Sequence, residues 1–205
     1  MKTPLQTIFS LLFLLFASIC YSQNYKFDKI VKNSFSTQIF PNQEHTDLFN
    51  SEDDSYHMQI HNRNDSLISR IFDTKENKVH YFHIDKSDSL KLYFMETKNM
   101  TKNVTENKFE FSEIKEKKGT KEITFKILNN RNKKVAKYKF IIKETGKNYF
   151  SVFKLSALET QLYNKTKPPF NFIILEAKGT NISGRYVKYK LETIEDIDLK
   201  VTIPK

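Results

Sequence analysis

Hydrophobic and polar residues alternate along most of this chain, with a period of two. In residues 121–128, Ile123, Phe125 and Ile127 alternate with Glu122, Thr124 and Lys126. The break Asn129-Asn130-Arg131-Asn132 follows, and Ala136, Tyr138, Phe140 and Ile142 then alternate with Lys137 and Lys139. Two such runs around an Asn-rich turn predict a half-buried antiparallel hairpin. Similar runs recur at residues 24–38, 46–50, 56–62, 66–72, 78–84, 89–96, 109–111, 148–154, 170–177, 186–192 and 197–203. The breaks between them are rich in Asp, Asn and Ser, whose side chains bond nearby backbone and tolerate turn conformations. Spacing this short leaves no room for crossover helices, so neighbouring strands pair antiparallel.

The period changes once. Ser156-Ala157-Leu158-Glu159 fits a capping box, and Leu158 and Leu162 lie four apart on one helical face. Pro168 and Pro169 stop the run, so one short helix is expected over 156–164. The expected fold is all-β, with about a dozen antiparallel strands, rich in meander, and one short helix. So many consecutive strands sharing an apolar face favour a curved half-barrel or closed barrel. A two-sheet sandwich is the second choice.

Residues 1–22 read as a secretory signal peptide. Lys2 supplies the positive start, 8–19 are almost wholly apolar, and Ser22 offers a small residue before Gln23. The apolar run is shorter than the ~20 residues that span a bilayer. Cleavage after Ser22 gives an exported chain (periplasm, cell surface or secreted) with a single domain over 23–205 and no membrane span. Cys20 is the one cysteine, and Ile19 before it departs from a lipoprotein signal. After cleavage no thiolate nucleophile, disulfide or sulfur ligand remains.

The formal charge is +10, yet nearly all the cations are Lys and they interleave with Glu. That pattern fits solvent faces and guarded strand edges, and nucleic acid is not an expected partner. Four histidines, His57, His61, His80 and His83, invite a metal reading. His57 and His61 share a face but lie about 13 Å apart along a strand, and His80 and His83 point to opposite faces. No metal or cofactor is expected. Glu52-Asp53-Asp54 reads as an acidic turn, because it lacks the spaced ligands and central Gly of a calcium loop. No catalytic residue is marked: Gly-x-Ser-x-Gly and phosphate-cradling Gly-rich loops are both missing. Asn-x-Ser/Thr triplets at Asn64, Asn99, Asn103, Asn164 and Asn181 match the glycosylation pattern, as chance predicts in so Asn-rich a chain.

The aromatics are the remaining candidates. Phe82, Phe94, Tyr138, Phe140, Phe150 and Tyr189 are the residues expected to face a ligand in a concave sheet; ordinary core pairing is the competing role. The leader, the meander and the single helix together make the chain resemble the small exported β-sheet proteins of bacterial envelopes. In shape it is similar to the periplasmic lipoprotein carriers, in which a curved sheet with helical plugs holds acyl chains. The resemblance implies a non-enzymatic module that binds an apolar small molecule, a lipid or an envelope protein. An envelope or extracellular polymer hydrolase and a structural cell-surface component are the alternatives.

Overall fold

The computed structural model describes residues 23–63, 66–85, 91–101 and 106–204. The leader, including Cys20, and part of the polar stretch 97–106 lie outside them. Twelve antiparallel strands form one open, curved sheet. In chain order they are β1 (Gln23–Thr37), β2 (Gln43–Phe49), β3 (Tyr56–Arg63), β4 (Ser66–Asp73), β5 (Lys78–Asp85) and β6 (Lys91–Asn99), then β7 (Lys108–Phe111), β8 (Lys115–Lys117), β9 (Thr120–Leu128), β10 (Lys134–Glu144), β11 (Phe172–Thr180) and β12 (Tyr186–Ile203). Their order across the sheet is β6-β5-β4-β3-β2-β1-β12-β11-β10-β9-β7, with β8 also on β9. The form is therefore a half-barrel and not a closed one. β1 and β12 are its long central pair.

Among the described residues the one α-helix, α1, spans Phe150–Ala157 and overlaps only the start of the expected 156–164. It begins where Asn148 Oδ1 accepts the amide of Phe150, at 2.8 Å. Ser156 sits near its C-terminal end. The capping-box reading of Ser156 fails because Ser156 turns its hydroxyl to Asp47, 2.6 Å away, rather than to a backbone amide. A short 3-10 turn at Glu159–Gln161 takes up the rest of the expected helix.

Residues directly opposite in an antiparallel ladder share a face. Val31, Asp47, Gln59, Arg70 and Tyr81 mark the inner face of the first half of the sheet. Phe35, Tyr189, Ala177, Phe140 and Ile123 continue it through the second half. Helix α1 lies on this face. Its Phe150 and Phe153 sink among Phe109, Phe125, Tyr138, Phe140, Phe172 and Tyr189. Its Val152 and Leu155 meet Val31 and Phe49. Both flanks of so short a helix are buried, which removes the exposed stripe that marks a surface helix.

On the outer face of the first half, Leu48, Met58, Ile71 and Phe82 form a second core with Tyr25, Phe27, Val201 and Ile203. The β1–β12 ladder shifts register between Phe27 and Lys29 and again between Lys32 and Asn33. Such bulges bend a strand pair, and the end of this pair packs over β3–β5. Tyr25 donates to Asp73 Oδ2 and meets His80 Nε2, both at 2.8 Å, and Tyr56 donates to the Lys26 carbonyl.

Candidate ligand-binding groove

The inner face of β3–β5 differs from the rest of that face. His57, Gln59, Arg70, Phe72 and Tyr81 stand where the second half places phenylalanines. His57 is 1% exposed and stacks on Phe72, with ring centroids 4.9 Å apart and 8° between the planes. Arg70 lies over the same Phe72 ring. Its Nη2 donates to His61 Nε2 at 2.7 Å. A guanidinium has only donors, so His61 Nε2 accepts and His61 is neutral. Burial, followed by the charge of Arg70, holds its pKa down at about 4. Burial pushes His57 down to about 3, with Lys154 and Arg70 adding to the effect. Its Nδ1 is buried and has no hydrogen-bond partner among the described residues.

A polar tie joins this region to the helix. Asp47 Oδ2 accepts from Asn33 Nδ2 at 3.0 Å and from Ser156 Oγ at 2.6 Å. Buried polar groups persist when they are bonded in this way. Beyond α1 the chain crosses toward β4 and β5. Tyr163 donates its hydroxyl to Asn77 Oδ1, and Asn164 Nδ2 donates to the Asn107 carbonyl. Between this crossing and the sheet lies a groove of about 410 Å³. Phe72, Val79 and Tyr81 line the sheet side with His57 and Gln59, Thr160, Leu162 and Tyr163 line the opposite side, and Asn99, Met100 and Thr101 complete the lining. Sites for small ligands fall in the range of roughly 300–1,000 Å³.

A second cavity of about 410 Å³ opens at the start of α1, among Lys147, Lys154, Lys165, Lys167, Glu52 and Asp54. The Lys154 side chain is 7% exposed and 3.7 Å from Asp54. Burial lowers its pKa, and Asp54 partly restores it. Glu52 pairs with Lys147, while Asp53 caps the amide of Ser55. The acidic turn thus spends its carboxylates on nearby lysines and backbone.

The six aromatics singled out from sequence do not line the groove. Tyr138, Phe140, Phe150 and Tyr189 pack together around Phe153 in the second half. Phe82 and Phe94 stack edge to face on the outer side of the first half, 5.8 Å apart. Tyr138 borders a shallow depression beside Gly179, and Phe150 borders the lysine cavity. Of the four histidines, His57, His61 and His83 share the inner face, and His80 turns outward to Tyr25 and Thr97. The sequence pattern puts His57 and His61 on one face and marks Leu162 as a helix position, but it does not show that Phe72 or Leu162 would line a groove. The available signal was an apolar residue on the supposedly wetted side of two successive strands.

No family model matches the chain, and no curated protein matches it. Solved structures give likenesses of low overlap. A LolA superfamily protein from Nitrosomonas europaea is similar at 6% identity, covering 85% of this chain and 87% of its own, with a TM-score of 0.36. A DUF1329 family protein from Desulfovibrio piger is similar at 5% identity, covering 95% of this chain and 94% of its own, with a TM-score of 0.25. The PNGF-II structure is similar at 13% identity over 84% of this chain, with a TM-score of 0.38, and this chain spans 28% of its length. Likenesses at these scores leave the functional reading to the groove itself.

Proposed function

We propose that the protein is a non-enzymatic, exported binding module that takes a small molecule with an apolar body and a polar end into the groove on β3–β5. The observation that carries this reading is His57. A neutral imidazole whose buried Nδ1 has no hydrogen-bond partner among the described residues borders a cavity where Phe72, Val79, Tyr81 and Leu162 supply apolar wall beside the polar Gln59, Asn99, Thr101 and Thr160. A buried polar atom left unsatisfied costs about 1–3 kcal/mol, and a ligand's polar end can recover that. The composition of residues 1–22 supports export, with 23–205 as the working domain. Hydrolysis by paired carboxylates has less support, since the buried Asp47 and Asp73 sit on opposite faces of the sheet.

Native mass spectrometry of the protein purified from its own host tests the reading. The expected result is a bound small molecule that is released on unfolding and lost in a Tyr81→Asp, Leu162→Asp double variant. An unliganded mass, together with no uptake of a long-chain acyl probe, would overturn it.

A further inference from the structure

We propose that one end of the sheet, where three hairpin tips lie side by side, is a docking surface for an anionic lipid bilayer. The tips are residues 38–42 between β1 and β2, 181–185 between β11 and β12, and 129–133 between β9 and β10. Register brings them together. Thr37 is opposite Val187, Thr180 is opposite both Tyr186 and Lys137, and Lys134 is opposite Leu128. Six adjacent strands at roughly 4.8 Å spacing place the tips within about 24 Å of one another.

Two properties coincide there. The first is exposed apolar surface. Ile39 is 55% exposed, Phe40 56%, Ile182 38% and Tyr186 42%. The backbone that carries Ile39 and Phe40 is held in a bonded turn. Thr37 Oγ1 accepts the amides of Ile39 and Phe40, and the Thr37 amide donates to the Phe40 carbonyl. Asn42, at φ +50°, closes the turn in the left-handed region. A fixed turn that presents Ile-Phe-Pro to solvent suits insertion into an interface, because the apolar residues need no reordering to enter it.

The second property is charge. Arg131, Lys133, Lys134, Lys137, Arg185 and Lys188 are all exposed. None of them joins an ion pair among the described residues. Residues 129–143 and 177–191 contain no carboxylate, although Glu is frequent elsewhere in the chain. Cations left without acidic partners around an apolar tip complement anionic headgroups, and each cation near such a surface adds to the attraction. The other exposed apolar pair, Tyr93 and Met95 on β6, lies at the edge of the sheet, away from these tips. The surface does not depend on the groove, and failure of either proposal leaves the other standing.

Co-sedimentation of the purified protein with phosphatidylcholine vesicles, with and without phosphatidylglycerol, tests the proposal. Binding is expected only with the anionic lipid, and it should weaken as salt is raised. An Ile39→Asp, Phe40→Asp variant should lose roughly tenfold or more in partitioning, from the loss of apolar burial alone. An Arg131→Glu, Lys133→Glu variant should also weaken binding, whereas Met95→Asp should leave it unchanged. Circular dichroism verifies that each variant is folded. The proposal is overturned if the wild-type protein ignores anionic vesicles, or if Met95→Asp is as damaging as the tip variant. The first of these outcomes would leave an acidic protein partner as the occupant of the tips.

Discussion

The two halves of the inner face solve the same problem in different ways. Across β7 and β9–β12, helix α1 fills the concavity with aromatic rings: Phe153 alone touches Tyr138, Phe140, Phe150 and Tyr189 at centroid distances of 4.9 to 6.4 Å. Across β3–β5 the same face carries His57, Gln59, His61 and Arg70, and the helix stops short of it. A plug that covers only part of a curved sheet leaves a groove on the uncovered part. The polar residues of that part are what keep it from collapsing into a second dry core, since burying them without partners is costly. One half is filled and should hold most of the stability, and the other is left open for the ligand proposed above.

The largest effect that sharpens this contrast is Phe153→Ala. Removing a fully buried ring from the filled half should cost about 3–5 kcal/mol in urea denaturation. Tyr81→Ala, in the open half, should cost less than half of that. Equal costs would erase the distinction. Gly179→Ala comes next. A Cβ there would lie 2.1 Å from the Lys137 carbonyl oxygen and 2.6 Å from Tyr138 Cα. The β10–β11 ladder must part to admit it, at about 1–3 kcal/mol by the same denaturation assay.

The open half should carry the acid sensitivity. His57 is held neutral down to about pH 3 in the fold, against 6.5 for the free side chain. Below pH 6.5 the unfolded chain therefore takes up the proton first. Its contribution is intact above pH 6.5 and falls as the pH drops toward 3, by up to about 1.4 kcal/mol per pH unit. His61 loses stability over the upper part of the same window, by a smaller amount. Urea midpoints measured between pH 7 and pH 4 should show the slope, and His57→Gln should flatten it. A His57→Gln protein with the wild-type slope would place the acid response elsewhere. The smallest effect is Tyr138→Phe. The Tyr138 hydroxyl is buried and has no hydrogen-bond partner among the described residues, and burial raises its pKa. Removing it should be neutral or stabilise the protein by up to about 1 kcal/mol in thermal melts. A marked loss would reveal a bond that the filled half depends on.

Strand identities were legible in the chain because apolar and polar residues alternate along it, and β3, β4, β5, β9 and β10 run within about two residues of their expected bounds. Two features were harder to read. Residues 186–192 and 197–203 looked like separate runs, yet they are the two ends of the single strand β12. Its two register shifts change which residues face inward, so no single alternation runs through it. Residues 148–154 read as a strand but contain the start of helix α1, because Phe150 and Val152 are both buried, on different flanks of one helix. The groove was less legible still. It exists where residues 160–163 cross the sheet, and a period-two pattern says nothing about what will lie over a face. The alternation showed that His57 and His61 share a side, but not that this side would be roofed.

The pairing of β1 with β12 has a consequence for when the molecule can form. β2–β6 and β7–β11 are each built from near neighbours and can zip locally as soon as their own residues are free to fold. The seam between them needs a strand made far downstream of its partner, and closing so long a loop is slow and entropically costly. Until that strand arrives, the emerging polypeptide carries two half-sheets with a bare central edge. That interval is when it most needs a chaperone to keep it from sticking to its siblings.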